Sequence, residues 1–406
     1  MNEKADVREK DLRQLVEESF TGAAAALALK AHDCAAERWG EGFAEQTRAI
    51  DILLSQHAAP GVIAGAFLAL LRQHGYIEAS EIRSRFGETL AMLVEKVFAE
   101  EILRTDTEAH RKQDLRYFLR SISGDLRAAL LRFALRLAEL ERLADRDDGG
   151  RRDMAQETLD LYVPLADRIG MGVLRTRLED VCFRILRPTL YEELAQRLEP
   201  IRAEDEACLA LLMQGAMRLL KQHGIVGAVH GRAKGLYSLG RKMCRLKCSL
   251  QEIMDRIGLR IIVSSVEECY TVLELLHTHF RPVPGTFDDY IGSPKQNGYQ
   301  SLHTCVYPAT DVSHKPVEFQ IRTEAMHQEA EHGIAAHWLY KSEAEAKFHS
   351  ERQLEWLHSL LSQRERAANH REFIECLRQQ VFDNRPVFLD NQSMSLQTRP
   401  ACTKKS

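Results

Sequence analysis

The chain has 406 residues, of which 45% are apolar and 28% are charged, a balance typical of globular proteins with substantial cores. Its formal net charge of −4 excludes a global electrostatic attraction to nucleic acid or to anionic membranes. No apolar run approaches the roughly 20 residues that a membrane-spanning helix needs, and no apolar secretory segment follows the first residues. A cytoplasmic protein without a membrane partner is therefore expected.

The nine cysteines support the same compartment, because they are scattered singly and none forms a Cys-x-x-Cys pair. Cys244 and Cys248 lie four residues apart and could share one face of a helix. A metal site there is disfavoured, because no further residues of ligand type lie close by in the sequence.

The chain from residue 8 to about residue 200 is predicted to be helical almost throughout. Apolar residues recur there at helical spacing, as in the segment 128–140. The charged, Gly-containing segment 144–153 is typical of a connection between two helices.

After about residue 224 the pattern changes to short β-type segments with helical stretches between them. The segment 266–279 is predicted to be a helix. The predicted strands are 224–230, 259–264, 301–307 and 317–322. This mixture indicates an α+β or α/β domain of about 130 residues. The chain then continues as helix to about residue 380, and the last residues are predicted to be frayed.

A basic segment is the first candidate for chemistry, since residues 207–251 contain no Asp or Glu. If a helix begins near Lys234, then Lys234, Ser238 and Lys242 fall on one face, flanked by Arg241 and Arg245. Two ammonium groups and a hydroxyl in a row suit a chain of phosphates. The alternative is a solvated basic helix face, which is the commoner case in an arbitrary protein.

The predicted strand 317–323 is the second candidate, because side chains of a strand alternate between its two faces. Glu318, Gln320 and Arg322 would lie together on the face opposite the apolar residues. A carboxylate, an amide and a guanidinium on one sheet face could form the floor of a reaction site. The alternative is an ordinary antiparallel strand with one face in water.

Two further segments carry polar groups near predicted strands. The loop that precedes the strand 301–307 contains Lys295, Asn297 and Tyr299, and His303 lies just inside that strand; an exposed Tyr there could stack on a base. Asp255 stands just before the strand 259–264, where a carboxylate could help to hold Mg²⁺ with nucleotide phosphates. Asp255 alternates in step with the apolar Ile257 and Leu259, so it would face the site only if the regular strand starts after it.

Four blocks in this order resemble the synthetase domain of the RelA/SpoT family, the long alarmone synthetase–hydrolases. The blocks are 231–243, 297–304, 317–323 and 326–338. The resemblance implies an α+β fold: an all-helical N-terminal pseudo-HD domain, followed by a nucleotidyltransferase-like mixed-sheet synthetase domain. It also implies transfer of the β,γ-pyrophosphate of ATP to the 3′-hydroxyl of GTP or GDP, with Mg²⁺ as the cofactor.

The resemblance gives each candidate residue a role. Glu318 resembles the residue that activates the 3′-hydroxyl and, with Asp255, holds the metal. The residues implied for ATP and its phosphates are Arg232, Lys234, Ser238, Arg241, Lys242 and Arg260. The residues implied for the guanine nucleotide are Lys295, Asn297, Tyr299, His303, Gln320 and Arg322.

The chain departs from the family pattern near the predicted phosphate helix and in the helical half. Ala233 and Gly235 replace the usual Pro and His of the first block, and this change is expected to loosen the loop that enters the helix. In the helical half, the metal-binding positions of an active HD hydrolase fall on Ala69, Leu70 and Leu135. Aliphatic side chains cannot bind a metal, so a degenerate HD domain without hydrolase activity is expected.

The resemblance also predicts the domain limits. These are a degenerate HD domain at 1–200, a synthetase domain at 201–345, a helical extension at 346–382, and a frayed tail at 383–406 that begins the regulatory region of longer members. Because the C-terminal regulatory half is missing, regulation by ribosomes is not expected. Two alternatives to an active synthetase stay open: a degenerate paralogue that binds guanine nucleotide or a partner without turnover, and a different nucleotidyltransferase.

Overall fold

The computed structural model describes most of the chain up to residue 332. The described residues are 12–39, 43, 47–98, 125–144, 150–250, 253, 256–295, 297–307, 316–332, 359 and 372. Asp255, nearly all of the predicted extension 346–382, and the predicted tail 383–406 lie outside them. Among the described residues, no helix is both long enough and apolar enough to cross a bilayer.

The described chain up to Arg175 forms one compact unit, and Thr176–Glu331 forms a second. The first unit is helical wherever it is described, as predicted. Residues 12–19 are helical. The helices that follow are α1 Gly22–Trp39, α2 Arg48–Ser55, α3 Pro60–Gln73, α4 Ala79–Phe86, α5 Glu88–Phe98, α6 Leu126–Leu143, α7 Arg151–Glu157 and α8 Val163–Arg168, with a π-helical turn at Thr158–Tyr162 before α8. Helix α9, Gly172–Leu186, continues into the second unit.

Helix α3 shows why this sequence folds as a helical unit. Pro60 occupies the first turn, where the missing N–H costs nothing, and every residue from Val62 to Leu71 is buried. Gly65 allows a close approach, because a Cβ at that position would lie 2.9 Å from a methyl group of Leu93. A helix that is apolar on all sides belongs inside a core, so α3 is the central element of this unit.

The second unit is a mixed sheet with helices. Its elements are α10 Pro188–Gln222, β1 Gly227–Ala233, α11 Leu236–Leu246, β2 Ile257–Val263, α12 Val266–His279, β3 Arg281–Pro282, β4 Asp288–Asp289, β5 Leu302–Tyr307, β6 Val317–Thr323 and α13 Glu324–His332. The strand order is β1–β2–β6–β5–β3, and β4 pairs with β5. Strands β2 and β6 are parallel, and every other pair is antiparallel.

One face of this sheet forms the core of the unit. The odd-numbered residues of β2 and β6 are buried there against apolar residues of α10 and α12. The opposite face, which we call the site face, carries the even-numbered residues of β1, β2 and β6 and the odd-numbered residues of β5. Its polar members are His230, Arg232, Arg260, His303, Glu318, Gln320 and Arg322. The alternation predicted for the strand 317–323 is therefore confirmed.

Two predicted elements begin later than expected. Strand β1 starts at Gly227 rather than at residue 224, because Gly224 has a positive φ of 71° and ends helix α10 with a turn. Helix α11 starts at Leu236, so Lys234 precedes it and does not share its face with Ser238 and Lys242. The helix predicted at 266–279 is found with those bounds, and Ser265 caps its first turn by accepting the N–H of Glu268.

Candidate active site

Glu318 lies near the middle of the site face, and neighbouring side chains hold both of its carboxylate oxygens. The Gln320 amide donates a hydrogen bond to Oε2 at 3.2 Å. His303 Nδ1 lies 3.3 Å from Oε1, and the other ring nitrogen of His303 is 2.8 Å from the Tyr299 hydroxyl. The Glu318 side chain retains 24% of its exposure, so the carboxylate is oriented but still reachable from solvent.

A solvent-open cleft beside Glu318 contains the two basic residues that flank the end of β1. Its lining residues are Arg232, Lys234, Arg256, Ile257, Gly258, Leu259, Glu318 and Gln320. Arg232 donates to the Gln320 side-chain oxygen at 3.4 Å, and the Lys234 backbone N–H donates to the Arg256 carbonyl at 2.9 Å. Arg232, Lys234 and the Glu318 carboxylate thus border one cleft, together with Arg256, which is paired with Asp205. Such a cleft is expected of a site for phosphates and a reacting hydroxyl.

Gly258 lets strand β2 approach Glu318 closely. A Cβ at Gly258 would lie only 2.9 Å from the backbone oxygen of Glu318, its partner in the parallel register. Alanine at this position would require the two strands to shift relative to each other. The close packing of β2 against β6 therefore explains the glycine at position 258.

The start of helix α11 is held by a carboxylate from outside the predicted site. Asp180 of α9 accepts the backbone N–H of Tyr237 at 2.9 Å, and burial raises the pKa of Asp180. A Cβ at Gly235 would lie 2.5 Å from this carboxylate. Gly235 thus gives room for a cap supplied by a residue distant in sequence, so the expected loosening of this loop is offset by Asp180.

The basic residues of α11 differ in their surroundings. Arg241 lies 3.9 Å from the buried Glu179 and sits over the Tyr237 ring at 5.8 Å from its centroid. Ser238 and Lys242 are half-buried and four residues apart on the helix. Arg241 therefore has protein partners near it. The relation of Arg241, Ser238 and Lys242 to phosphates stays a prediction.

Arg260 and Arg322 share one carboxylate under helix α13. Glu331 Oε1 lies 2.9 Å from a guanidinium nitrogen of each, and Arg322 also lies 2.6 Å from His327 Nδ1. Burial and the neighbouring Arg322 lower the pKa of Arg260 to about 10, and burial together with Arg322 lowers the pKa of His327 to about 3. Because Arg322 is only 1% exposed, its predicted contact with a nucleotide would require this cluster to rearrange.

The loop predicted to bind guanine contains a small aromatic cluster. The Tyr299 backbone N–H donates to the Asn297 side chain at 3.2 Å, and Gly298 between them has a positive φ of 80°. Burial raises the pKa of Tyr299. The Lys295 ammonium lies 4.2 Å from the ring centroid of Tyr290 and 5.1 Å from that of Tyr299. Two of the predicted residues therefore contact the third: Lys295 lies over the Tyr299 ring, and the Asn297 side chain accepts from the Tyr299 backbone.

Tyr290 is a site residue that the sequence analysis missed. Its ring meets the His303 ring edge-on, with 5.2 Å between the centroids, and it lies 6.2 Å from Tyr299. Asp289 fixes the loop behind it by accepting the backbone N–H groups of Ile291 and Gly292. The aromatic residue next to the acidic pair 288–289 was the signal that could have identified it.

The structure thus brings most of the predicted residues onto one sheet face and its bordering loops. Arg232, Lys234, Gln320 and Glu318 border one cleft, and Tyr299 reaches Glu318 through His303. The predicted metal ligand Asp255 lies outside the described residues, although its neighbour Arg256 is buried and paired with Asp205.

Two family models match the chain. The model of a region found in RelA/SpoT proteins matches residues 231–345, and a model of the HD domain matches residues 24–172. This chain carries a RelA/SpoT region. Every predicted site residue, from Arg232 to Arg322, lies within it. The predicted fold class is therefore confirmed: a helical HD domain is followed by the mixed sheet of the RelA/SpoT region.

Some of the relatives are named as pyrophosphokinases and others as pyrophosphohydrolases. The GTP pyrophosphokinase of Escherichia coli strain K12 is 34% identical over 346 residues, which are 83% of this chain and 46% of that protein. The guanosine-3′,5′-bis(diphosphate) 3′-pyrophosphohydrolase of Aquifex aeolicus strain VF5 is 38% identical over 306 residues, which are 74% of this chain and 42% of that protein. The chain spans less than half the length of these curated relatives.

Among solved structures, the small alarmone synthetase 1 of Bacillus subtilis, bound to its product pppGpp, is 28% identical to the part it matches. The match covers 43% of this chain and 96% of that chain, with a TM-score of 0.29.

In the HD domain, the positions to which the resemblance assigns metal ligands are part of the helical packing. Ala69 and Leu70 lie on α3 and are 0% and 7% exposed, and Leu135 lies half-buried on α6. Helices α3 and α6 pack against each other. Aliphatic groups therefore fill the space at two of these positions, and at all three they provide no donor atom.

Proposed function

We propose that this protein is an alarmone synthetase, which transfers the β,γ-pyrophosphate of ATP to the 3′-hydroxyl of GTP or GDP and releases AMP. The observation that carries the proposal is the cleft in which Glu318 borders Arg232 and Lys234, while His303 links Glu318 to Tyr299. The RelA/SpoT region and the relatives named GTP pyrophosphokinase support the same reaction.

In the proposed reaction, the 3′-oxygen of the guanine nucleotide forms a bond to the β-phosphorus of ATP. The bond from that phosphorus to the oxygen bridging the α- and β-phosphates breaks, and the bridging oxygen leaves with AMP. The proton of the hydroxyl passes to Glu318, because a ribose hydroxyl is a poor nucleophile until a base accepts its proton. Arg232 and Lys234 offset the phosphate charge at the cleft.

Tyr299 is the proposed platform for guanine, with Asn297, Lys295 and His303 around it. The contact between its hydroxyl and His303 and the turn at Gly298 fix the position of the Tyr299 ring. The Lys295 ammonium over the Tyr299 ring would have to move aside when a base stacks there.

Mg²⁺ is the proposed cofactor, held by Glu318 and Asp255 together with the nucleotide phosphates. The chemistry of the donor set fits, since Mg²⁺ is commonly bound by one or two carboxylates plus substrate phosphates and keeps several waters. When bound, it would neutralise charge on the transferred group. Glu318 borders the cleft, as such a ligand must.

The test is to incubate the full chain with ATP, GTP or GDP, and Mg²⁺, and to identify the products. Alarmone together with AMP in equal amounts is the expected result. Pyrophosphate in place of AMP would indicate ordinary nucleotidyl transfer instead. Binding of guanine nucleotide without any product would favour the degenerate paralogue. That alternative is suggested by Ala233 and Gly235, which replace the usual Pro and His of the family.

We further propose that the helical part, residues 1–200, is a scaffold without hydrolase activity and that residues 201–345 form the synthetase domain. The aliphatic Ala69, Leu70 and Leu135 support the first point. The position of every proposed site residue on the second unit supports the second point.

A further inference from the structure

Gln320 is almost fully buried, and both ends of its side chain already have protein partners. It is only 5% exposed, at the centre of strand β6, and its backbone pairs with Arg260 on one side and His303 on the other. Its side chain lies between Arg232 and Glu318, with both ends engaged: Oε1 accepts from Arg232 at 3.4 Å, and Nε2 donates to Glu318 at 3.2 Å. We call this arrangement the amide bridge.

The chemistry of the two partners fixes the orientation of the Gln320 amide. A guanidinium has only donors, and an ionised carboxylate has only acceptors. An amide offers one of each at a single planar group, so it can join the two with its oxygen toward Arg232 and its nitrogen toward Glu318. Glutamate at this position could not donate to Glu318, and an aliphatic side chain could contact neither partner.

The amide bridge connects the two sides of the proposed reaction. Arg232 stands on β1 at the cleft, Gln320 and Glu318 stand on β6, and His303 on β5 contacts the other carboxylate oxygen at 3.3 Å. With Oε2 held by Gln320 and Oε1 beside His303, the carboxylate has few rotational alternatives. A base with a fixed orientation presents the same oxygen to the substrate hydroxyl in each turnover.

We propose that Gln320 is a positioning residue, which fixes the Glu318 carboxylate relative to Arg232, and that it is not a contact to the guanine nucleotide. This inference rests on the proposed function, because it concerns how the base of that reaction is held. It replaces the role that the family resemblance implies for Gln320.

The experiment compares three variants of the full chain by steady-state kinetics, with kcat and the KM for GTP measured separately. Gln320→Met keeps the length of the side chain and removes both hydrogen bonds. Gln320→Glu places a second carboxylate beside Glu318. Gln214→Met, at an exposed position of α10, is the matched control for the chemical change.

Loss of the bridge should lower kcat in Gln320→Met by about tenfold or more, since one hydrogen bond to a charged group is worth roughly that factor. The KM for GTP should change less than about threefold, because no guanine contact is lost. Gln320→Glu should lower kcat as well, because its carboxylate cannot donate a hydrogen bond to Glu318. Gln214→Met should behave as the unaltered chain.

A separate measurement guards against misfolding of the variants. GTP affinity measured by calorimetry should be retained in Gln320→Met if Tyr299 and its loop are intact. A large loss of GTP affinity with kcat unchanged would overturn the inference and return Gln320 to the guanine site. An unchanged kcat in both Gln320→Met and Gln320→Glu would overturn it as well. Absence of synthesis by the unaltered chain would overturn the proposed function, and this inference with it.

Discussion

The helical unit and the sheet unit differ in the surroundings of their polar side chains. In the helical unit, Arg136 is buried at 8% exposure and its guanidinium is satisfied locally, by Tyr162 at 2.9 Å and Glu157 at 3.0 Å. On the site face of the sheet, Glu318 and Arg232 are held by neighbours but still border an open cleft. A polar group with only internal partners supports a fold, whereas an oriented group beside a cleft is ready to act on a ligand.

The comparison also bears on the proposal that the helical unit is a scaffold without hydrolase activity. The packing of α3 against α6 requires side chains that fill the space between the helices. Ala69 and Leu70 fill that space, so the packing does not depend on metal-binding side chains. Conversely, the site face requires particular donors and acceptors in register across three strands. The same number of substitutions would therefore leave the first unit intact and disable the second.

The largest expected effect is that of Glu318→Gln. This change keeps the shape of the side chain but removes the base and one charge for the metal, so synthesis should fall at least about a hundredfold. Product formation measured at saturating ATP and GTP checks it. Glu324→Gln, an exposed change at the start of α13, is the control and should leave the rate unaltered. Near-normal turnover in Glu318→Gln would remove Glu318 from the role of base.

In the helical unit, Tyr162→Phe should affect stability and not catalysis. It removes an acceptor from the buried Arg136 guanidinium, and an unsatisfied buried donor costs about 1–3 kcal/mol in the free energy of unfolding. Chemical denaturation checks the stability, and synthesis per folded molecule should be unchanged. Tyr307→Phe, at an exposed position, is the control. A loss of kcat at full folding would mean that the two units are not functionally separate in the way the comparison suggests.

Asp180 offers a smaller test at the start of α11. Asp180→Ala removes the cap on the Tyr237 N–H and should lower the free energy of unfolding by about 0.5–2 kcal/mol. Asp180→Asn keeps an acceptor oxygen and removes the charge. Because burial raises the pKa of Asp180, the charged form is disfavoured in the folded state, so its cost is present at neutral pH and is relieved as pH falls through the folded pKa.

At pH 7 we therefore expect Asp180→Asn to be no less stable than the unaltered chain, while Asp180→Ala is less stable. Thermal unfolding of both variants at pH 7 and at pH 5 gives the comparison. If both variants lose the same stability, the carboxylate contributes through its charge rather than as a cap.

The smallest expected effect is none at all. The full chain, incubated with alarmone and Mn²⁺, should release no pyrophosphate above the rate in buffer, because Ala69, Leu70 and Leu135 have no ligand atoms. Chromatography of the nucleotides after prolonged incubation checks this. Measurable hydrolysis would show that the metal-binding positions lie elsewhere in the helical unit.

The sequence predicted those features that depend on local pattern. Alternation placed Glu318, Gln320 and Arg322 on one face, and the local signals of α12 gave both of its ends. It did not predict the start of α11, because the cap comes from Asp180, more than fifty positions earlier in the chain. A cap supplied from a distant helix leaves no trace in the residues beside the helix it caps.

The partners of the charged residues were also beyond prediction. In the sequence, Arg260 and Arg322 look like any other basic residues on a strand. In the structure, Glu331 of helix α13 pairs with both of them. Tyr290 joined the site because β4 pairs with β5 and brings the loop beside His303. Tertiary pairing, rather than local propensity, decides such contacts.

The parallel register of β2 with β6 has a consequence for how the chain folds. It places Gly258 beside Glu318 and Arg260 beside Gln320, although the two strands are separated along the chain by on the order of fifty residues. Pairing of this kind has a high contact order and forms slowly compared with helices and hairpins. In a refolding experiment, far-ultraviolet ellipticity should therefore recover before catalytic activity, because the cleft beside Glu318 requires this parallel pair to form.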